Sequence, residues 1–273
     1  MPELPEIETI RRGLVPLLSG RRIRGVLVRE KRLREPVVPE DLKNLRGAAF
    51  TAVRRRSKYL LLETDAGRTV LIHLGMSGQL WVCRARRPRR PHEHVVFDLD
   101  GETQLRYADA RRFGMILVVE NHLLDRHPRL QHLGPEPLDG TFTGEVLFRM
   151  TRNRKKPVKN FLLDSHAVAG VGNIYACETL FRARIDPRRP VGRIRRIRWT
   201  RLVESLREVL EESIHAGGTS FRDYLKADGN VGSFAVDLRV YDRQQDPCHR
   251  CGGNIRRIVQ AGRSTFFCPR CQK

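Results

Sequence analysis

Three features of the sequence predict an α+β fold made of three successive parts. An amphipathic helical pattern opens the chain, and eight short β-type runs follow it between Ile23 and Glu120. Helical patterns dominate after Gly140, and four of the six cysteines lie in the last 26 residues. At 273 residues the chain is long enough for two modest domains, each with a core of its own.

The opening helix is indicated by Ile7, Ile10 and Leu14, which recur at helical spacing. We expect this helix to be disturbed at Pro16 and to end by Gly20. The β-type runs that follow are Ile23–Val28, Phe50–Val53, Tyr59–Thr64, Thr69–His73, Gln79–Val82, Val95–Leu99, Gln104–Tyr107 and Met115–Val119. Short strands at this spacing, separated by turn signals, are typical of a β-sandwich or a β-barrel.

The segment 133–140, Leu-Gly-Pro-Glu-Pro-Leu-Asp-Gly, is rich in chain breakers and indicates a linker. The predicted elements beyond it are helices at Gly144–Arg152, Lys159–Leu163, Asn173–Arg182 and Thr200–His215, a helical turn at Ser220–Leu225 and a polar loop at Ala227–Phe234. These patterns predict domains at residues 1–132, 133–235 and 236–273.

The charge of the chain points to a polyanionic partner. It has 52 Lys and Arg against 31 Asp and Glu, a formal charge of +21 and an isoelectric point near 10.8. Arginine carries most of the excess, and its planar guanidinium suits phosphate, so we expect nucleic acid. There is no signal peptide and no apolar run of 18 or more residues, which predicts a soluble, cytoplasmic protein without membrane contact.

The four C-terminal cysteines predict one structural zinc ion. Cys248 and Cys251 form one Cys-x-x-Cys pair, and Cys268 and Cys271 form a second pair 16 residues later. Each pair can supply two thiolates from a tight turn, and a hairpin between the pairs brings them around one tetrahedral metal. Arg263 lies at the far turn of that hairpin, where it either holds a phosphate or is simply a solvated arginine.

The first residues carry a possible nucleophile. If Met1 is removed, Pro2 becomes the N-terminus, and its secondary amine can attack a sugar carbon to give an iminium. Glu3 then offers a carboxyl group one residue away for proton transfer. The alternative is an ordinary solvated helix start with Pro5 in the first turn.

Several further residues are candidates with plain structural alternatives. Lys58 could project from a hairpin turn or be a surface lysine, and Met76 lies in a glycine-flanked turn but could be a core filler. Phe113 beside Arg111 suggests insertion between bases. His92 is two residues from a second histidine, and we expect a phosphate contact or a surface role rather than a metal site.

These motifs, read in order, resemble the bacterial formamidopyrimidine-DNA glycosylases over essentially the whole chain. The motifs that carry the resemblance are Pro-Glu-Leu-Pro-Glu after Met1, Ser-Lys-Tyr-Leu at 57–60, His-Leu-Gly-Met-Ser-Gly at 73–78, Asp-Ala-Arg-Arg-Phe-Gly at 109–114, Gly-Val-Gly-Asn-Ile-Tyr at 170–175, and Ala-Gly-Arg at 261–263 in the cysteine hairpin. Ser57 departs from the family pattern, where glycine is common, and residues 239–246 are atypical.

The resemblance implies a β-sandwich opened by a helix, a helix-two-turn-helix domain and a zinc finger, with damaged double-stranded DNA bound in the cleft by a monomer. It implies excision of oxidised purines followed by strand cleavage. The implied catalytic residues are Pro2 as nucleophile, Glu3 as proton donor, Lys58 in β-elimination and Arg263 in δ-elimination. The implied DNA-binding residues are Met76, Arg111 and Phe113, which fill the gap left by the flipped nucleotide, and His92, Arg154, Lys159 and Asn173.

Two other functions fit many of the same residues. An endonuclease VIII-type glycosylase for oxidised pyrimidines shares the fold and the nucleophile, but Leu4 and the three gap-filling residues favour the purine enzyme. A non-catalytic zinc-finger DNA-binding protein would have no need of Pro2 or Glu3, and both are present.

Overall fold

The computed structural model describes residues 1–217 and 238–273, and the first helix, α1, spans Leu4–Leu18. Its N-cap is Glu3, and its buried face carries Ile7, Ile10 and Leu14, each at most 1% exposed. Pro16 lies inside the helix, which continues for two residues beyond it. The expected disturbance therefore does not end the helix.

The eight N-terminal strands form two antiparallel sheets of four strands each. Their bounds are β1 Ile23–Val28, β2 Phe50–Arg56, β3 Tyr59–Thr64, β4 Arg68–His73, β5 Gly78–Arg84, β6 Glu93–Leu99, β7 Thr103–Asp109 and β8 Met115–Glu120. The strand orders are β1-β6-β7-β5 and β2-β3-β4-β8. Phe50 of one sheet meets Phe97 of the other edge to face, with ring centroids 6.4 Å apart, inside a core that α1 also lines. The arrangement is a β-sandwich, which decides between the two predicted architectures.

Two short helical elements of this first part escape the sequence patterns. Helix α2 spans Pro39–Lys43, and a 3-10 helix spans Asn121–Arg126. Helix α2 has five residues and the 3-10 helix has six, which is too few to show an apolar period. In α2 the buried side chains are Pro39 and Leu42.

The helical part contains α3 Gly144–Thr151, α4 Val158–Leu162, α5 Asn173–Arg182, a 3-10 turn Val191–Arg193 and α6 Arg196–His215. Helix α6 begins four residues before the predicted start at Thr200. Trp199 is fully buried in that added turn, and arginine is a good helix former, so the basic stretch is helical rather than loop-like. The predictions for Ser220–Leu225 and Ala227–Phe234 lie outside the described residues.

The C-terminal hairpin consists of β9 Arg256–Gln260 and β10 Arg263–Phe267. It shares a small core with α5, in which Cys177 and Phe181 pack with Phe266 and Cys268. Two compact units result: Met1–Gln131 in one, and 132–216 with 238–273 in the other. Within the described residues, no helix is long and apolar enough to span a membrane.

Candidate functional site

The N-terminal residues are held by a reciprocal capping box at the start of α1. The backbone N–H of Glu3 donates to a carboxylate oxygen of Glu6 at 2.8 Å, and the Glu3 side chain accepts from the Glu6 backbone. Both carboxyl groups are buried, 4% and 2% exposed. Capping boxes satisfy the free N–H groups of a first helical turn. This one fixes Pro2 and Glu3 relative to the helix axis.

The amine at the start of the chain lies in an environment that favours its neutral form. Burial is the largest cause that lowers the pKa of the Met1 α-amino group, and Lys58 and Arg111 lower it further. Glu3 and Glu6 oppose them, but the net direction is downward. A neutral amine is the nucleophilic form. The structure thus brings Lys58 and Arg111 close enough to the chain start to act on its charge.

Lys58 occupies the tight turn between β2 and β3. Ser57 before it has φ +55°, in the left-handed region that glycine adopts without cost, which explains why glycine is common at this position of the family motif. The guanidinium of Arg55 donates to the Ser57 carbonyl at 2.9 Å, and its Nε lies 3.3 Å from a Glu8 carboxylate oxygen on α1. These contacts hold the turn and direct the residue after Ser57.

The three predicted gap-filling residues lie on two neighbouring turns. Met76 and Phe113 are 46% and 47% exposed, unusual for large apolar side chains, and the Arg111 guanidinium lies over the Phe113 ring, 4.8 Å from its centroid. Gly75, at φ +60°, has no room for a side chain: a Cβ would lie 2.4 Å from the Phe113 carbonyl carbon. The two turns therefore pack backbone against backbone.

Asp109, at the end of β7, links the same two turns. Its carboxylate accepts hydrogen bonds from the Ser77 hydroxyl at 2.5 Å, the Gly114 N–H at 2.7 Å and the Tyr107 hydroxyl at 3.1 Å. Ser77 in turn accepts the backbone N–H of Arg111 at 3.0 Å. No role for Asp109 or Ser77 follows from the sequence patterns alone. Both lie inside the family motifs at 109–114 and 73–78, and this position is the one sequence signal that points to them.

His73 is a further motif residue whose role is visible only in the structure. Its Nδ1 accepts the backbone N–H of Gly75 at 3.0 Å, and its ring packs against Tyr59 with centroids 4.9 Å apart. Burial, followed by Lys58 and two arginines, lowers the pKa of His73 to about 4. His73 is therefore neutral at pH 7 and supports the turn that carries Met76.

The two histidines of the His-x-His pair have different environments. His94 is buried, and its Nε2 lies 2.8 Å from the backbone oxygen of Asp109. His92 is exposed, has φ +61° and precedes β6 rather than lying on it. The two imidazoles do not form a metal pair with any third ligand among the described residues, and His92 is the one open to a partner.

The cysteine cluster fits one tetrahedral zinc ion. All four sulfur atoms lie within 4.8 Å of one another, with Cys248 and Cys271 3.9 Å apart and Cys251 and Cys268 3.5 Å apart. A zinc ion with four Zn–S bonds of about 2.3 Å requires sulfur separations of about 3.8 Å. With four protein sulfurs the coordination shell is closed, so the predicted zinc is structural.

The hairpin presents Arg263 at its tip. Ala261 and Gly262 form a two-residue turn with φ +46° and +72°, the pattern of a tight hairpin that matches the twist of its strands. Arg263 follows as the first residue of β10 and is exposed. The structure thus places this arginine as predicted from the sequence, at the end of the hairpin away from the cysteines.

Lys159 and Asn173 support that tip from the helical part. The Lys159 ammonium donates to the Thr265 hydroxyl at 2.6 Å and to the Ser264 carbonyl at 2.9 Å, and the Asn173 amide donates to the same carbonyl at 2.9 Å. Lys159 is 0% exposed. In this placement Lys159 positions the hairpin tip, and its direct contact with DNA stays a prediction.

Arg154 lies after α3 with an exposed side chain. Its backbone oxygen accepts the N–H of Gly192 at 3.0 Å, and a Cβ on Gly192 would lie 2.9 Å from that oxygen. The close backbone approach holds the segment and leaves the guanidinium open to a partner.

Comparison with known proteins identifies three consecutive family segments. Residues 1–116 match the formamidopyrimidine-DNA glycosylase N-terminal domain, 133–224 the H2TH domain of the same enzymes, and 245–273 a zinc finger found in FPG and IleRS. Proteins named formamidopyrimidine-DNA glycosylase from Methylococcus capsulatus and Acidithiobacillus ferrooxidans are 52% and 48% identical, over 100% of both chains in each case.

Solved structures agree with these matches. A Lactococcus lactis FPG mutant in complex with Fapy-dG-containing DNA has a TM-score of 0.90 at 33% identity, covering 100% of both chains. The MutM (FPG) protein of Thermus thermophilus has a TM-score of 0.86 at 40% identity, covering 99% of this chain and 98% of that one. From its sandwich, helical part and cysteine hairpin together, the chain belongs to the formamidopyrimidine-DNA glycosylase family.

Proposed function

We propose that the chain is a bifunctional DNA glycosylase and AP lyase that removes oxidised purines, 8-oxoguanine and formamidopyrimidines, from damaged double-stranded DNA. The observation that carries the proposal is the start of the chain in a member of this family, where the α-amino group of Met1 has a lowered pKa and interacts with the charges of buried Glu3 and of Lys58. The net charge of +21 supports binding to a polyanionic duplex. Relatives from Lactococcus lactis were solved with Fapy-dG-containing and abasic-site DNA.

The chemistry begins when Met1 has been removed and the Pro2 nitrogen is free. This nitrogen forms a bond to the anomeric carbon of the damaged nucleotide while the glycosidic bond breaks, and the base leaves with the bonding pair and takes up a proton. Glu3 gives a proton to the ring oxygen as the sugar opens. The product is an iminium that joins Pro2 to the sugar.

Strand cleavage follows from the iminium. The positive nitrogen acidifies the neighbouring sugar carbon, and loss of a proton there expels the 3′ phosphate. A second elimination expels the 5′ phosphate, and water then releases Pro2. We assign Lys58 to the first elimination and Arg263 to the second, because Lys58 acts on the charge of the amine and Arg263 is exposed at a rigid tip.

The sugar carbon cannot be reached in a stacked duplex, so the damaged nucleotide must be flipped out. Met76, Arg111 and Phe113 are assigned to filling the space it leaves. Their support is the preorganised pair of turns, whose shared contacts through Asp109 and Gly75 already hold the side chains outward. Preorganisation lowers the ordering cost on binding.

We assign His92, Arg154 and Asn173 to the DNA backbone, and Lys159 to positioning of the hairpin tip. One structural zinc ion, held by the four cysteines, orders the hairpin and supplies no catalytic step. We further propose that the enzyme acts as a cytoplasmic monomer with domains at 1–132, 133–235 and 236–273.

The test is covalent trapping with borohydride on a duplex that contains one 8-oxoguanine. Reduction converts the iminium into a stable adduct, and mass spectrometry of the digested adduct should locate the DNA on Pro2. A variant with one extra residue retained before Pro2 should bind the duplex but give no adduct, whereas Pro2→Gly keeps an α-amine and should still trap, more slowly.

Three outcomes would contradict the proposal. An adduct on a lysine would reassign the nucleophile. Faster trapping on an oxidised pyrimidine than on 8-oxoguanine would favour the endonuclease VIII-type activity. Binding to damaged duplex with neither adduct nor strand cleavage would favour a non-catalytic DNA-binding protein.

A further inference from the structure

A basic pocket lies at the base of the zinc hairpin, where the first turns of α6 meet the last residues of the chain. Its volume is about 930 Å³, and Cys271 lines it. It is separate from the tip that carries Arg263, because the five residues of β10 alone extend about 13 Å. None of the residues assigned to DNA above lines it.

Cationic side chains dominate the lining of this basic pocket. They are Arg184, Arg198, Arg201, Arg250, Arg270 and Lys273. Glu204 is the one carboxylate side chain among the lining residues, and within the described residues none of the six cations forms an ion pair with an Asp or Glu side chain. Six cationic side chains against one carboxylate side chain raise the local potential and attract an anionic ligand.

Three of these arginines are held in place by the fold. Arg198 donates to the backbone oxygens of Arg184 at 2.7 Å and Lys273 at 2.8 Å. The Arg250 guanidinium lies over the Phe181 ring, 4.9 Å from its centroid. Ordered cations lose less side-chain entropy when they bind a partner.

The side chain of Arg270 is ordered in a similar way, because it lies across Gly253. A Cβ on that glycine would be 2.9 Å from Arg270 Cδ. The crowding of positive charge also affects Arg198. Its pKa is lowered, first by burial and then by the neighbouring charges of Arg189, Arg201 and Arg195. The arginines are thus kept close to one another despite their repulsion.

The same pocket contains an apolar side chain that a phosphate backbone would not use. Ile197 is 72% exposed, the highest fraction among the large apolar side chains of the described residues. A DNA backbone offers charge but no apolar group to cover it. A peptide with acidic side chains and one apolar side chain satisfies both the arginines and Ile197, and arginine is enriched in protein–protein interfaces.

We propose that the basic pocket docks a short acidic segment of a partner protein, with one apolar side chain of that segment packed on Ile197. The contact is distinct from the DNA site, so the enzyme can hold the partner and the duplex together. Because most of these arginines are exposed, the affinity is modest and falls as salt rises.

The experiment uses the full-length, zinc-containing protein saturated with a duplex that carries a tetrahydrofuran abasic-site analogue, so that the DNA site is occupied. The probe is a fluorescein-labelled synthetic octapeptide of seven aspartates with one central isoleucine, followed by fluorescence anisotropy. A second peptide has serine in place of the isoleucine. The variants Arg201→Glu and Arg270→Glu should each reduce the affinity for the isoleucine peptide by roughly three- to tenfold.

In the unaltered protein we expect the isoleucine peptide to bind about tenfold more tightly than the serine peptide, and Ile197→Ser should remove this difference in affinity. Arg46→Glu is the matched control, because it makes the same charge change at an exposed residue of the other unit. All pocket variants should excise 8-oxoguanine at the unaltered rate, with unchanged zinc content and melting temperature.

Two results would overturn the proposal. Equal weakening by Arg46→Glu and Arg201→Glu would mean that the peptide senses only net charge. Displacement of the peptide by a second, undamaged duplex, with Ile197→Ser silent, would mean that the basic pocket holds nucleic acid and not a protein segment.

Discussion

The Asp109 carboxylate accepts the Ser77 hydroxyl hydrogen at 2.5 Å and thereby joins the turn that carries Met76 to the turn that carries Phe113. The second oxygen of the same carboxylate accepts the Gly114 N–H at 2.7 Å. Asp109 is fully buried and its bond to Gly114 is buried as well, whereas its bond to Ser77 is partly buried. One acidic side chain therefore sets the spacing of the two exposed apolar side chains.

Asp109→Ala should impair excision from duplex DNA more than strand cleavage at a pre-formed abasic site. The change leaves the buried donors of Tyr107 and Gly114 unsatisfied and removes the partly buried bond of Ser77, at a cost of roughly 2–4 kcal/mol in unfolding free energy. Single-turnover rates on both substrates, together with thermal melting, provide the measurement.

Asp109→Asn is the conservative control, because it keeps the shape and one acceptor oxygen, and it should recover part of both losses. Ser77→Ala breaks only the link between the turns and should cost about 1 kcal/mol in stability. If all three variants lost both activities in proportion to melting temperature, Asp109 would support the fold and not the gap-filling turns.

Phe113→Ala should slow base excision from duplex by tenfold or more, on the order of the few kcal/mol that unstacking costs. Because Phe113 is 47% exposed, its truncation should change stability little. Leu123→Ala is a matched control in the same unit, at a side chain that is 44% exposed. Equal slowing at a pre-formed abasic site would show that Phe113 contributes general binding only.

Stability should fall as pH drops from 6.5 to about 4, in part because of His73. Its pKa is lowered from 6.5 to about 4, so in this window the unfolded state binds a proton that the folded state does not. Stability therefore increases with pH across the window, by at most about 3 kcal/mol for this group. Below about pH 4 its contribution is constant.

The control for this prediction is His73→Asn. The asparagine oxygen can accept the Gly75 N–H in place of Nδ1, but it does not titrate. Urea denaturation at several pH values should show a shallower pH dependence for this variant between pH 4 and 6.5. An unchanged dependence would assign the acid sensitivity to other groups.

The sequence alone was enough for features whose signal is local. Each predicted β-type run lies within an observed strand, because the apolar pattern of a strand such as β3 or β4 is set by burial along the strand itself. The zinc site is local in the same sense, because each Cys-x-x-Cys turn is formed within four residues and its spacing alone predicts two neighbouring thiolates. The family motifs then indicated the sandwich in place of the barrel.

Features that depend on distant contacts were not predictable in this way. The family resemblance implied a DNA contact for Lys159, and only the hairpin 105 residues away explains why its side chain is buried. Asp109 reads as a turn residue until Ser77, 32 residues earlier, is placed beside it. The basic pocket collects residues from the segment after α5, from α6, from the first cysteine pair and from the chain end, and no single stretch of sequence shows that set.

Lys159→Met should weaken duplex binding and strand cleavage by loosening the hairpin tip. The change keeps the length of the side chain but leaves the Thr265 hydroxyl without its partner and removes one of the two donors to the Ser264 carbonyl. Zinc content should be unchanged. If Lys159 acts by positioning Arg263, the double variant with Arg263→Ala should be no worse than Arg263→Ala alone. Additive losses would instead indicate an independent contact with DNA.

The zinc hairpin should be required for DNA engagement but not for folding of the rest of the chain. Four thiolates close the coordination shell, so the binding energy of the metal orders a segment too small to hold a core of its own. Its apolar residues pack on Cys177 and Phe181 of α5, so zinc removal should loosen that helix locally, whereas the sandwich has a separate core.

Cys268→Ser and Arg263→Ala separate the metal from the arginine that it positions. Cys268→Ser should disorder the hairpin and abolish strand cleavage, with the β-sandwich signal retained in circular dichroism. Arg263→Ala leaves all four sulfurs in place and should reproduce most of the loss of duplex affinity and cleavage. Normal DNA binding by zinc-free protein would show that the ordered hairpin is not required. If Arg263→Ala had no effect while Cys268→Ser was damaging, the hairpin would act through other residues. The exposed cations closest in sequence to its turn are then Arg256 and Arg257 on β9.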